Sequence, residues 1–217
     1  MHHRPHVVAD VMTNPVVAVS RQAGFKEIVE TLSQWKVSAV PVLEGDGRVT
    51  GVVSEADLLD KEEFRDADPS RLEQMRRLDD LRKAGAVTAG EVMSAPAVTV
   101  REDATLAQAA RTMARGELKR LPVVDASGML RGIVSRSDLL KVFLRSDDDL
   151  AEEVRGDVVE RLFRESREDV RVTVAAGVVT LSGTVRDTAL APVAARLVRA
   201  VEGVVDVECD LVGSRTA

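Results

Sequence analysis

Two elements with the spacing Gly-x-x-Ser-x-x-Asp, Gly51 to Asp57 and Gly132 to Asp138, carry the residue types best suited to binding chemistry. A carboxylate offers two acceptor oxygens, so each aspartate can accept hydrogen bonds from both hydroxyls of a ribose. A strand that runs into a helix N-terminus also presents free N–H groups, which favour a phosphate. The same spacing is a helix capping box, in which serine and aspartate only fasten the first turn. The residues alone leave a ligand site and a helix cap as alternatives.

Both elements belong to an internal repeat. Val11–Leu59 align with Val92–Leu140 at a constant offset and without a gap. Prolines, glycines and the Asp-Leu-Leu triplets at 57–59 and 138–140 keep one register over this length. Self-similarity at a fixed period is typical of a duplicated structural unit, so we expect two copies of one fold.

Each copy has a pattern that predicts the element order β-α-β-β-α. In the first copy a β-like run at 16–19 precedes a helix with an apolar stripe over Phe25–Leu32. Two strands follow at 40–43 and 49–53, joined by a glycine-rich turn, and a second helix begins at Ser54. The second copy repeats this order at the offset of the alignment.

Two further regions lie outside the repeat. Residues 61–83 are densely charged with both signs, and apolar residues spaced by three from Leu72 to Leu81 predict an amphipathic linker helix. A composition shift after residue 146 marks a third region with the element order α-β-β-α-β. Its predicted elements are a helix at 150–162, strands at 170–174 and 179–181, a helix at 190–201 and a strand at 205–211.

Composition disfavours several functions. The net charge is −6 and only 2% of residues are aromatic, which argues against a broad phosphate-backbone interface and against base stacking. The only histidines, His2, His3 and His6, lie in an N-terminus that we expect to be frayed. We therefore predict no catalytic residues, no metal site and no enzyme activity. The single cysteine, Cys209, lies in an alternating apolar run and is predicted to be buried.

The N-terminus lacks the apolar run of a signal peptide, and no stretch approaches the length of a membrane span. One cysteine cannot form an intrachain disulfide, so nothing requires an oxidising compartment. We expect a cytoplasmic location.

The repeated pattern resembles the CBS domain, the cystathionine-β-synthase regulatory unit. The resemblance rests on the segment Val11–Val19, the apolar helix, Val-Pro-Val and Gly-Val-Val-Ser-x-x-Asp-Leu-Leu, and residues 10–60 and 90–145 resemble a tandem pair. In that family the pair forms a compact module with two-fold symmetry, whose clefts bind AMP, ADP, ATP or S-adenosylmethionine. The resemblance therefore implies two units paired by pseudo-two-fold symmetry, and an adenosyl ligand with no required cofactor.

The resemblance also implies roles for individual residues. Asp57 and Asp138 would hold ribose hydroxyls, Ser54 and Ser135 would contact ribose or phosphate, and Arg136 is well placed for a phosphate. The residues implied to line the adenine clefts are Val17, Ala39, Val40, Val98, Arg120 and Leu121.

The two clefts are expected to differ, because Arg136 of the second copy corresponds to Glu55 of the first. A carboxylate that faces a phosphate repels it unless a metal or another cation intervenes. We therefore expect the cleft at Asp138 to suit an anionic nucleotide better. The cleft at Asp57 would be empty, weaker or suited to a less charged adenosyl ligand.

The third region resembles a BON domain, through the glycine and valine pattern around Gly177, Gly183 and Gly203. That family is suspected of binding phospholipid surfaces. Between residues 147 and 212, however, this chain has fifteen Asp or Glu, eight Arg and no Lys, a net charge of −7. Anionic lipid would repel such a surface. We expect a protein or peptide-like partner, or assembly through the sheet, in place of a membrane.

These expectations describe an α/β (α+β) protein with domains at 1–60, 90–146 and 147–213 and a charged helical linker at 61–89. The leading hypothesis is a regulatory adenine-nucleotide sensor that passes a conformational signal through its third domain to an unknown protein partner. The alternative is a nucleotide-free dimerisation scaffold. Apolar helix faces predict a homodimer under either hypothesis, and no nucleic-acid partner is expected.

Overall fold

A computed structural model describes residues 6–63 and 87–214. The linker helix predicted at 61–83 lies mostly outside those residues. The described chain forms two compact units, residues 7–136 and residues 137–214 with His6. Its helices and small mixed sheets confirm the predicted α/β (α+β) fold class. The division falls before residue 146, and the domain boundaries predicted from sequence stay predictions.

The first copy forms a three-stranded sheet in the order β1-β2-β3, with β1 parallel and β3 antiparallel to β2. The predicted strand at 16–19 is shorter than expected, because only Val19 and Ser20 pair with β2. The elements are α1 (Val8–Val11), β1 (Val19–Ser20), α2 (Phe25–Trp35), β2 (Ala39–Leu43), β3 (Val49–Ser54) and α3 (Glu55–Glu63).

The second copy repeats this topology, with the order β4-β5-β6. Both middle strands carry a register shift at the same place in the repeat, between Val42 and Leu43 and between Val123 and Val124. The elements are α4 (Ala89–Val92), β4 (Val100–Arg101), α5 (Leu106–Arg115), β5 (Arg120–Val124), β6 (Leu130–Ser135) and α6 (Arg136–Leu139).

The short helix that precedes each sheet packs against the other copy. In α1, the N–H of Val8 donates to the carbonyl of Ala104 at 2.8 Å, and in α4 the N–H of Ala89 donates to the carbonyl of Ala23 at 2.8 Å. The apolar core of the first copy consequently includes Ala89 and Val92, which precede the second copy in the sequence. The copies are thus interlocked.

The glycines of the two repeated motifs leave room for α1 and α4 to be exchanged, that is, to pack each against the other copy. A Cβ on Gly51 would clash with Sδ of Met93, and a Cβ on Gly132 would lie 2.5 Å from Sδ of Met12. Each methionine follows an exchanged helix, so glycine is needed where that methionine crosses the strand of the other copy. The equivalence of the two contacts expresses the pseudo-two-fold relation of the copies.

The C-terminal unit has the predicted order α-β-β-α-β. Its sheet runs β7-β8-β9, with β7 antiparallel and β9 parallel to β8, and its apolar core lies on the helix-covered face. The elements are a 3-10 turn (Leu140–Leu144), α7 (Asp147–Val154), a π-helical segment (Arg155–Val159), α8 (Glu160–Leu162), β7 (Val170–Ala175), β8 (Val178–Val185), a second 3-10 turn (Thr188–Leu190), α9 (Ala191–Arg199) and β9 (Asp206–Gly213).

Two predictions about single residues are wrong. Cys209 is exposed, because β9 is an edge strand of its sheet. His6 is held in place, since its N–H and its ring Nδ1 lie 2.9 and 2.8 Å from the Glu202 carboxylate; His2 and His3 lie outside the described residues. Among residues 6–63 and 87–214, no helix has the length and apolarity to cross a bilayer, and no three potential metal ligands cluster.

Candidate functional site

A cleft of about 320 Å³ opens between the two copies at Asp57. The first copy contributes the start of β2, the end of β3 and the start of α3. The second contributes the segment before β4 and the segment that leads into β5. The lining residues are Ser38, Ala39, Val52, Ser54, Glu55, Ala56 and Asp57 from the first copy, and Ser94, Pro96, Ala97, Val98, Glu117, Leu118, Lys119 and Arg120 from the second.

Asp57 is buried at the bottom of this cleft, with 9% of its surface exposed. Its Oδ2 accepts the N–H of Ser54 at 2.8 Å and the hydroxyl of Ser54 at 2.7 Å. Its Oδ1 accepts the hydroxyl of Ser94, from the second copy, at 3.1 Å. One carboxylate oxygen therefore fastens the start of α3, as a helix cap would, while the other is turned toward the opposite wall of the cleft.

Cations line the opposite wall of the cleft. Lys119 and Arg120 lie there with Glu117, and the guanidinium of Arg120 donates to the hydroxyl of Ser38. The repeat alignment predicts the repulsion of a phosphate by Glu55 but does not reveal that the second copy supplies part of the lining. Lys119 and Arg120 add two positive charges to a lining that also holds Glu55 and Glu117, and they reduce the repulsion of a phosphate.

The residues predicted to line an adenine cleft divide into two groups. Ala39, Val98 and Arg120 line the cleft at Asp57. Val40 and Leu121 are fully buried and do not line this cleft. The physical reason is the alternation of a strand, which turns each of them to the face opposite to its lining neighbour. The remaining residue of the set, Val17, is half-buried and does not line this cleft.

The second motif lies elsewhere. Ser135, Arg136 and Asp138 do not line the cleft at Asp57. Asp138 is 9% exposed, and its Oδ1 lies 2.7 Å from Nζ of Lys141, one turn along the chain. Arg136 is exposed and donates from Nε to the carbonyl of Leu118 at 2.8 Å. The predicted ligand roles of these three residues stay predictions.

Sequence reasoning missed Ser94 and Lys119. The repeat did carry a signal for the first of these, because Thr13 and Ser94 are equivalent hydroxyl residues that each follow a Val-Met pair. The exchange of α1 and α4, which the alignment does not reveal, brings Ser94 to the aspartate of the other copy.

An apolar groove of about 840 Å³ adjoins the cleft, between α2 and α3 of the first copy. Val29 and Leu59 line it and are 42% and 64% exposed. The expectation of a homodimer requires exposed apolar helix faces of this kind, and the homodimer stays a prediction.

Comparison with known proteins gives the following matches. The CBS-domain family profile matches residues 8–63 and 89–145, and the BON-domain profile matches residues 146–213. An uncharacterised protein of Methanocaldococcus jannaschii is 29% identical over 154 residues, which are 64% of this chain and 91% of that protein.

Solved structures resemble the same part of the chain. The crystal structure of CBSX2 in complex with AMP has a TM-score of 0.57 and 30% identity, and covers 64% of this chain and 97% of that one. CBSX2 is a chloroplastic CBS domain-containing protein of Arabidopsis thaliana. The CBS domain pair of protein MJ0100, solved with methylthioadenosine and S-adenosyl-L-methionine, has a TM-score of 0.50 and covers 64% of this chain and 97% of that one. At 19% identity this second likeness concerns the fold.

Proposed function

Because the chain belongs to the CBS-domain family and carries a BON domain after its CBS pair, we propose that it is a regulatory protein that binds an adenosyl ligand in the cleft at Asp57. The observation that carries this proposal is the Asp57 carboxylate, which is buried at the bottom of a cleft and has one oxygen directed across it. The candidate ligands are AMP, ADP, ATP and S-adenosylmethionine. We propose neither catalysis nor a required cofactor.

The chemistry of the cleft fits the parts of such a ligand. Oδ1 of Asp57 can accept from a ribose hydroxyl in place of Ser94. Ala39 and Val98 offer apolar surface to a base, and Lys119 offers a positive charge to a phosphate. The AMP complex of CBSX2, at 30% identity, supports an adenosyl ligand over other nucleotides.

The proposed signal passes through the end of the second CBS copy. Residues 137–145 match the CBS profile but belong to the C-terminal compact unit. Arg145 donates to the carbonyl of Glu202 at 2.7 Å and pairs with Glu153 at 2.6 Å, with 12% of each side chain of the ion pair exposed. The carbonyl of Val142 would lie 2.7 Å from a Cβ on Gly203. A ligand that shifts the segment after Asp138 would therefore move the C-terminal unit with it.

Calorimetry with AMP, ATP and S-adenosylmethionine tests the binding site. Asp57→Asn should weaken the preferred ligand at least about tenfold, because hydrogen bonds to a charged acceptor contribute about 1.5–3 kcal/mol each. Glu91→Gln is the matched control, because Glu91 also caps a helix start but lies outside the cleft. If Asp57→Asn and Glu91→Gln bind the preferred ligand with equal affinity, the proposed site at Asp57 is contradicted. Asp138→Asn then reports whether the second motif also binds.

The scaffold alternative makes the opposite prediction. If no adenosyl compound gives heat or raises the melting temperature, the Ser-x-x-Asp motifs act only as helix caps. Sedimentation of the ligand-free chain measures the proposed homodimer under either function.

Hydrogen exchange tests the route to the C-terminal unit. We expect saturating ligand to change amide protection in residues 147–213, and Arg145→Ala to abolish that change without loss of affinity. Arg161→Ala is the control, because it removes the exposed ion pair with Asp157 in the same unit. The route through Arg145 is contradicted if both variants lose the ligand-induced change in amide protection. It is also contradicted if both variants keep that change.

A further inference from the structure

The outer edge of β9 is open in the part of the chain that the structure describes, since β9 pairs only with β8 there. In a parallel pair, the N–H and C=O of every second residue point to the same side. Val207 belongs to the outward set, because its N–H donates to the Asp206 carboxylate at 2.7 Å and its C=O accepts from Arg199 at 3.4 Å. Cys209 and Leu211, in the same phase of the strand, direct their backbone groups outward as well.

Carboxylates flank this open edge. Asp206, Glu208 and Asp210 are exposed and alternate with Val207, whose side chain packs in the core beneath the sheet. They therefore stand on the opposite face of β9, where they are exposed among the described residues and Glu208 accepts the hydroxyl of Thr180 at 3.3 Å. β9 contains no basic residue, and the region from 147 to 212 has a net charge of −7.

We propose that the β9 edge from Cys209 to Gly213 binds an extended peptide segment of a partner protein, with Lys or Arg at alternate positions, as a fourth strand. Main-chain hydrogen bonds to Cys209 and Leu211 hold the segment, and its basic side chains lie beside Glu208 and Asp210. The proposal rests on the C-terminal unit alone, so failure of adenosyl binding at Asp57 leaves it standing.

A second copy of β9 is a poor occupant of the same edge in the register centred on Cys209. Antiparallel pairing of two β9 strands centred on Cys209 places Glu208 of each copy opposite Asp210 of the other. Like charges directly opposite each other destabilise a strand pair. In this register the acidic row disfavours self-pairing, and it favours a basic strand.

The first test uses the full chain and a seven-residue peptide of alternating Val and Lys with blocked ends. Fluorescence anisotropy should show saturable binding, and the same peptide with Glu in place of Lys should not bind. Cys209, the only cysteine of the sequence and an exposed one, supplies a local readout. Its alkylation should slow as the peptide saturates. Unchanged alkylation at saturation overturns the proposal, as does self-association of the chain that protects Cys209 without peptide.

Charge reversal tests the carboxylates. The double variant Glu208→Lys, Asp210→Lys should bind the Lys peptide about tenfold more weakly at moderate salt. The matched control, Glu152→Lys, Glu160→Lys, changes the net charge equally at exposed positions away from β9. If both double variants lose the same affinity for the Lys peptide, the proposal is overturned, because the loss would then reflect net charge only.

Backbone methylation tests the added strand. Two versions of the peptide carry N-methyl groups on every Val or on every Lys, so that each blocks the N–H groups along one side of the extended chain. Only one version should lose binding, and which one reports whether the segment runs parallel or antiparallel to β9. Equal binding of both versions, or equal loss, overturns the proposal.

Discussion

Single residues show how much of the candidate site the sequence predicted. Ser54 and Asp57 were found because their spacing is a local property of one chain segment. Ser94 and Lys119 were not, because they reach the cleft from the other copy. The sequence posed helix cap and ligand site as alternatives, yet the structure gives Asp57 both a capping oxygen and a cleft-facing oxygen.

Helix and turn carboxylates should also set the acid stability of the chain. The backbone N–H groups of Val87 and Thr88 lower the pKa of Glu91 below its usual 4.5. Those of Met129 and Ser127 lower the pKa of Asp125 below its usual 3.8. A carboxylate whose folded pKa lies below its unfolded value stabilises the folded state above the unfolded value, and this stabilisation is lost as the pH falls through the folded pKa.

We therefore expect the free energy of unfolding to decline as the pH falls below about 4.5, and to vary little just above about 5, as far as these two groups determine it. Urea titrations from about pH 3 to about pH 7 measure this. The variant Glu91→Gln, Asp125→Asn should show a shallower decline below about pH 4.5. An identical slope in the variant and the parent chain contradicts this assignment.

Elements were predicted well wherever a periodic pattern specified them. Strands β2, β3, β5 and β6 lie within one residue of the expected runs, since apolar residues form at least half of each strand and turn residues separate the two strands of each hairpin. The helix expected at 150–162 contains a π-helical segment, which apolar spacing does not reveal. The exchange of α1 and α4 was also missed, because an alignment of two copies does not say which copy each segment packs against.

The exchanged helices predict a difference between two equivalent glycines. A Cβ at Gly132 would meet the carbonyl oxygen of Thr13 at 3.0 Å as well as Met12, whereas the nearest atoms at Gly51 all belong to the flexible side chain of Met93. Gly132→Ala should therefore cost about 1–3 kcal/mol of unfolding free energy, and Gly51→Ala less.

Double variants separate the side chain from the backbone at these two positions. Met93→Ala should relieve most of the crowding caused by Gly51→Ala, because it removes Sδ and Cγ, the two atoms nearest to the new methyl group, and leaves only the Cβ at 3.0 Å. Met12→Ala should relieve only part of the cost of Gly132→Ala, since the carbonyl of Thr13 remains. Urea unfolding of the four single and two double variants gives the coupling energies. The predicted difference between the two glycines is wrong if both glycine variants lose the same unfolding free energy and both methionine substitutions restore the same amount.

At the scale of the whole molecule, interlocking makes the two copies one binding unit. The core of the first copy uses Ala89 and Val92, and the cleft at Asp57 needs a wall from each copy. Sequence duplication predicted two similar units but not their mutual dependence, which arises from contacts between residues far apart in the chain. Acidity, in contrast, is unevenly distributed, because the region from 147 to 212 alone has a net charge of −7.

This uneven charge predicts the behaviour of the whole chain toward membranes. Anionic lipid attracts each basic residue near its surface by about 1 kcal/mol and repels acidic ones, so the C-terminal unit should stay off anionic vesicles. We expect no co-sedimentation with phosphatidylserine vesicles even at low salt, where electrostatic attraction is least screened. Phosphatidylcholine vesicles are the control for apolar binding, and the Glu208→Lys, Asp210→Lys variant controls for charge. Binding of the parent chain that weakens as salt is added would contradict the prediction, because it would require a basic surface that outweighs these carboxylates.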